Sequence, residues 1–134
     1  MADFVFDDSD LDAPAARAVL DTTLAGADDG ELFVERSSSE ALSFDDGRLK
    51  TASFDTSRGF GLRCVAGEAS GFAQSSELSP ESLRRASDAV QLVKAGHAGT
   101  MSAPPRRTNA VLYPDIDPTE DPAFADKVGL LQQI

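Results

Sequence analysis

The spacing of apolar residues changes period along the chain, and each change marks an element. Over residues 12–25, Ala16, Val19, Leu20 and Leu24 recur at helical spacing and define one face. Asp12 is placed to cap that helix, and Pro14 falls near the first turn, where its missing N–H costs little. Gly26 is a stop signal. From Glu31 the pattern becomes that of a strand. Residues 31–44 have apolar ends (Leu32, Phe33, Val34; then Leu42 and Phe44) and a polar middle, Ser37-Ser38-Ser39-Glu40. Asp46-Gly47 follows, a pair suited to a two-residue hairpin turn because both central residues need positive φ. Residues 48–55 read as the return strand, with Leu49 and Thr51 alternating with Arg48 and Lys50. Residues 59–66 are the clearest strand, with Phe60, Leu62, Cys64 and Ala66 on one face and Gly61, Arg63 and Val65 on the other. After a turn at Gly67-Glu68-Ala69-Ser70, Gly71-Phe72-Ala73-Gln74 is a short fourth strand.

A second helix is predicted over residues 79–95. Ser79 caps it, Pro80 opens it, and Glu81 complements its dipole. Its stripe is Leu83, Ala86, Val90 and Val93, and Gly96 ends it. The order helix, four strands, helix predicts an α+β fold: a four-stranded antiparallel meander with the helices packed on one face, plus a C-terminal helix. The other face is left exposed or covered by something else.

Around that domain, placed at residues 12–96, the flanks differ in character. Residues 1–11 form an acidic leader whose patch, Phe4-Val5-Phe6, belongs either to a frayed end or to a segment docking outside the chain. Residues 97–117 are a loop or linker with Pro104-Pro105, a small basic pair, Arg106-Arg107, and a short extended piece, Val111-Leu112-Tyr113. Asp117-Pro118-Thr119 opens a last helix over residues 118–134, with Phe124, Val128 and Leu131 as its stripe and Ile134 one turn on. That stripe stops with nothing after it, so the helix is expected to lead into a missing remainder.

Composition narrows the function. The chain of 134 residues carries a formal charge of -11, and its first fifty residues hold 13 acidic against 4 basic side chains. No basic stripe suits phosphate, which argues against direct nucleic-acid binding. A single cysteine, Cys64, permits no intrachain disulfide and fits a reducing compartment. The start of the chain lacks the basic and apolar regions of a secretory signal. No stretch approaches the ~18 apolar residues of a membrane span. The expected location is the cytoplasm.

Candidate chemistry is sparse. His97 and Cys64 are single residues of their kinds, too few for a metal centre. His97 sits in a Gly/Ala loop and reads as exposed; Cys64, mid-strand on an apolar face, reads as a small packed hydrophobe. Ser37, Ser38 and Ser39 have no histidine beside them in sequence and read as a solvated strand. Gly59 and Gly61, with Gly67 and Gly71, lie within and between strands rather than between a strand and a helix, so they mark bulges or close backbone approach, not a phosphate loop. Asp115, Asp117, Glu120 and Asp121 lack calcium-loop spacing and read as a helix start.

An ordered set of stretches remains. Phe33-Val34-Glu35-Arg36, Asp46-Gly47-Arg48-Leu49-Lys50, Arg58-Gly59-Phe60-Gly61-Leu62-Arg63 and Gly67-Glu68-Ala69-Ser70-Gly71-Phe72-Ala73, then Leu112-Tyr113 and Asp117-Pro118, together resemble the N-terminal domain of the TldD/PmbA family, once called modulators of DNA gyrase. The resemblance spans roughly residues 12 to 134. It implies a longer protein, a zinc-dependent peptidase acting on small or unfolded peptides in peptide maturation and antitoxin turnover, with a PmbA-type (TldE) partner. The family's metal is held by a His-Glu-x-x-x-His helix and a later Cys. His97 is followed by Ala98, and Cys64 lies inside the front domain, so neither matches that motif. No catalytic, metal-binding or cofactor-binding residue is assigned to this chain, and zinc is expected only in the remainder. The expected role is supportive: shaping the peptide cavity and the partner interface. The alternatives are a PmbA-like non-catalytic subunit, or a stand-alone module recruiting a peptide strand to the sheet's free face or edge.

Overall fold

Asp12 begins the first helix as its side chain predicts. Its carboxylate accepts the Ala15 N–H at 2.7 Å and caps α1 (Ala13–Leu24). In the computed structural model, which describes residues 3–101, 103 and 116–134, and at residues 3 and 4 the backbone alone, α1 buries Ala16, Thr23 and Leu24. Gly26 follows with φ +76°, a conformation that releases the chain from the helix. The expected extended piece Val111-Leu112-Tyr113, the pairs Pro104-Pro105 and Arg106-Arg107, and Asp115 lie outside the described residues.

The sheet has three strands, in the order β1 (Asp29–Asp45), β2 (Arg48–Ala66) and β3 (Ala69–Ser75). Asp46 and Gly47 join the first two with φ of 48° and 68°, the left-handed pair that a tight hairpin requires. β3 runs antiparallel to β2 in a register from Phe60 opposite Ser75 to Ala66 opposite Ala69. The expected four-stranded meander is corrected here: residues 48–55 and 59–66 form one strand of 19 residues. Nothing between them can turn the chain. Thr56, Ser57 and Arg58 have extended backbone, and Gly59 is there because β3 passes close. A Cβ at Gly59 would meet the Ser75 carbonyl oxygen at 2.8 Å. What changes at Gly59 is burial: every residue from Arg48 to Arg58 is exposed, and from Phe60 onward alternate residues are buried.

Ser79 caps α2 (Pro80–Val90), its hydroxyl accepting the Ser82 N–H at 3.1 Å, with Pro80 in the first turn and Glu81 beside the positive end. The helix tightens into a 3-10 turn over Gln91–Lys94, and Gly96 closes it with φ +78°. Phe60, Leu62 and Cys64 pack with Leu83, Ala86 and Val90 of α2 and Ala16 and Leu24 of α1 in one cluster. The expected α+β packing therefore holds for the buried side of β2. Phe6, 7% exposed, and Leu11, 2% exposed, belong to the same cluster. The Phe6 side chain of the acidic leader thus packs inside the chain, on a 3-10 turn at Asp3–Phe6, rather than fraying or docking elsewhere.

The chain divides into two compact units, residues 1–36 with 58–108, and residues 37–57 with 109–134. The core above belongs to the first. In the second, α3 (Phe124–Leu131) starts later than the Asp117-Pro118-Thr119 signal suggests. Asp117 instead folds a local turn, its Oδ1 accepting both the Thr119 N–H at 2.7 Å and the Thr119 hydroxyl at 2.6 Å. Among the described residues no helix is long and apolar enough to cross a membrane.

Candidate functional site

Three places in the described residues gather polar or open surface, and each is held by the elements above. The first is the carboxylate of Asp28, between α1 and β1. Its Oδ2 accepts the Gly67 N–H at 2.7 Å and lies 2.7 Å from His97 Nε2. The Gly67 N–H is the main cause that holds Asp28 below the usual 3.8; loss of surrounding water opposes it, and the nearby His97 adds to it. Gly67 has φ +60°, and a Cβ at Gly99 would run into the Asp28 carboxylate. Glycine suits both positions, once for the left-handed turn and once for the close approach. The backbone adds Gly99 N–H to Gly26 O at 2.8 Å and Asp28 N–H to Val65 O at 2.9 Å. Asp28 therefore ties the end of α1, the β2–β3 turn and the loop after α2. His97, expected to be an exposed loop residue, is exposed and has a carboxylate partner that is distant in sequence.

Cys64 is fully buried and unpaired. Burial pushes its thiol pKa up, with the Lys94 charge pulling the other way. The thiolate that nucleophilic attack or metal binding needs is disfavoured there. Among the described residues, no group of three or more His, Cys, Asp or Glu side chains is arranged to hold a metal ion. The described residues do not fit a catalytic zinc, which takes three protein ligands and an open position.

The second place runs along β1, an edge strand of the sheet. A mainly apolar cleft of about 290 Å³ is lined by Val5, Ala13, Leu20, Leu32 and Val34, with Arg17 at its border. A wider, shallower one of about 970 Å³ shares Arg17 and Leu20 and is bordered by Asp21, Asp29 and Glu31. On β2, the guanidinium of Arg63 bonds Asp29 at 2.9 Å and Glu31 at 3.0 Å, which lowers the pKa of Asp29 and raises its own. Phe33 and Phe72 remain 60% and 65% exposed on strands β1 and β3.

The third place lies in the second unit. The carboxylate of Glu40, 10% exposed, is paired through Oε2 with Lys127 Nζ. Lys127 also donates to the Thr119 carbonyl oxygen. Glu40 Oε1 is shielded from solvent and has no hydrogen-bond partner. The pair borders a cleft of about 200 Å³, walled by Ser38, Ser39, Phe54, Asp55, Thr56 and Phe124. The rings of Phe54 and Phe124 lie 6.0 Å apart at 48°. The Ser37-Ser38-Ser39 hydroxyls, expected to lie on a solvated strand, are exposed, and two of the three border this cleft. Neither Asp28 nor Glu40 was marked by any motif, because each meets its partner across more than sixty residues of sequence.

Residues 30–93 match the family model described as PmbA/TldA metallopeptidase domain 1. Over 110 residues, 80% of the chain, it is 30% identical to a protein of Haemophilus influenzae named "Metalloprotease TldD homolog". Over 105 residues, 78% of the chain, it is 27% identical to a protein of the same name from Buchnera aphidicola. The aligned chain spans 23% of the first relative and 22% of the second.

Proposed function

Because the chain carries an N-terminal domain of the TldD/PmbA family, we propose that it is the non-catalytic front domain of a TldD-like, zinc-dependent peptidase. The observation that carries this reading is the match of residues 30–93 to the family's first domain, in a chain covering under a quarter of relatives named as metalloproteases. The metal centre then belongs to another part of the protein, and its substrates are small or unfolded peptides. This domain's part is to wall the peptide cavity and to meet a PmbA/TldE-like partner subunit, in the cytoplasm. The boundaries at residues 12–96 and 97–117 are part of the same proposal, with residues 118–134 leading into the remainder.

A second reading, a stand-alone peptide-binding module, draws on one feature. The edge strand β1 borders an apolar cleft, and sheet edges of this kind pair with extended segments through main-chain hydrogen bonds. A PmbA-like subunit without a metal motif is the third reading. The test uses the complete gene product. Chelator-sensitive hydrolysis of short unstructured peptides, lost when residues 1–134 are deleted while zinc content stays at one per chain, supports the first reading. No zinc and no hydrolysis would overturn it in favour of the others.

A further inference from the structure

We propose that the cleft beside Glu40 is a binding site for a guanidinium group, of the kind an arginine side chain presents. The case starts from an imbalance. A carboxylate oxygen accepts up to two hydrogen bonds, and Glu40 Oε2 already has Lys127. Oε1 has no partner, though the side chain is nine-tenths buried. An unsatisfied buried acceptor is costly, and native structures that keep one usually complete it with something from outside. Lys127 spends two of its three N–H donors on Oε2 and the Thr119 carbonyl, and the third makes no hydrogen bond to Oε1.

The surroundings select the class of ligand. Glu40 and Asp55 are acidic and Lys127 is basic, so the charged groups around the cleft sum to one negative charge. A monovalent cation neutralises it, whereas an anion meets two carboxylates. Phe54 and Phe124 form a tilted aromatic wall, and Phe54 is 66% exposed among polar neighbours. A planar, weakly hydrated cation stacks on such a ring while its N–H edge stays free to donate. Ser38, Ser39 and Thr56 supply acceptors around it. An ammonium would satisfy Oε1 as well, but it is compact, strongly hydrated and lacks the flat face. Because Oε1 is shielded, a ligand reaches it only when neighbouring side chains of the cleft move aside, and Phe54 and Phe124 in its lining are both partly exposed.

The readout is binding, so the inference stands or falls separately from the peptidase reading. The 134-residue chain is titrated with N-acetyl-arginine amide, and backbone amide shifts are followed by two-dimensional NMR. N-acetyl-citrulline amide, the neutral near-isostere, is the control. The arginine derivative is expected to give saturable shifts at residues 38–40, 54–56 and 119–127. Citrulline is expected to bind at least ~10-fold more weakly, the ratio given by about one decade of affinity lost with the charge. Asp55→Asn and Phe54→Ala alter exposed side chains, so both should stay folded and weaken arginine binding several-fold. Absence of saturation, an equal response to citrulline, or indifference to both substitutions would overturn the proposal. So would a crystal structure in which an ordered water bonds Oε1 and stays there at saturating arginine derivative.

Discussion

The hydroxyls of Thr23 and Ser87 lie 2.7 Å apart in the buried seam between α1 and α2, although 64 residues separate them in the chain. The direction of the bond follows from their other partners. Thr23 Oγ1 donates to the Val19 carbonyl at 2.6 Å, so it accepts from Ser87, whose oxygen accepts from Gln91 Nε2 at 2.8 Å. Lys94 Nζ closes the seam on the Thr23 carbonyl at 2.7 Å. Thr23→Val keeps the shape and removes the acceptor. It should cost about 1–3 kcal/mol, the range for a buried donor left without its partner. Adding Ser87→Ala should recover part of that loss, and a double-mutant cycle in urea measures the coupling.

Leu83 is fully buried under β2, whereas Leu92 is 77% exposed in the 3-10 turn that continues α2. Leu83→Ala should cost about 2–5 kcal/mol by loss of buried surface and creation of a cavity. Leu92→Ala should stay within about 0.5 kcal/mol. Equal effects in chemical denaturation would mean that the wrong face of the chain has been assigned to the core.

Gly71 stands where β3 crosses the end of α2. A Cβ there would meet the Val90 carbonyl oxygen at 2.9 Å and the Val90 Cα at 3.1 Å. Those atoms are backbone and cannot turn aside, so Gly71→Ala should cost about 1–3 kcal/mol, the usual range for overpacking. A substitution at Gly129, where no atom lies within 4 Å of the added Cβ, is the matched control. Thermal unfolding of the two variants should separate them clearly.

Asp28 makes stability depend on acidity in a defined direction. Its folded pKa lies below 3.8, chiefly because it accepts the Gly67 N–H. A lowered carboxylate contributes stability that is fully present above its unfolded pKa and fades as pH falls through the folded one. Asp29, lowered by Arg63, acts in the same sense. Asp28→Ala should therefore be least stable relative to the parent chain at neutral pH, and the gap should narrow below about pH 4. Denaturation midpoints from pH 7 to pH 2.5 would test this, and a gap that widens in acid would contradict it.

Much of the fold is legible in the sequence because local chemistry encodes it. Asp12 and Ser79 are caps, Asp46-Gly47 is a turn, and the alternation Phe60, Leu62, Cys64, Ala66 is a buried strand face. The reading fails where it equates loss of alternation with the end of a strand. Residues 48–58 are exposed on both faces, so the alternation of Leu49 and Thr51 with Arg48 and Lys50 fades before Arg58, yet the backbone stays extended throughout. The start of α3 is misplaced because Asp117-Pro118 serves a turn as readily as a cap. Asp28 with His97, and Glu40 with Lys127, were not legible at all. Such pairs are formed by the path of the chain through space, and one sequence records no trace of that path.

The polar seam between α1 and α2 also bears on synthesis. The ribosome delivers α1 before the strand residues Phe60, Leu62 and Cys64 that share its core, and the residues that latch it arrive only with Ser87, Gln91 and Lys94. Until that point no local contact can close the seam, since non-local pairing must bear its loop-closure entropy before the contact rewards it. Until Lys94 emerges this segment is therefore incompletely covered, and a nascent chain stalled before Lys94 is more exposed to chaperones and to aggregation than one that has passed it.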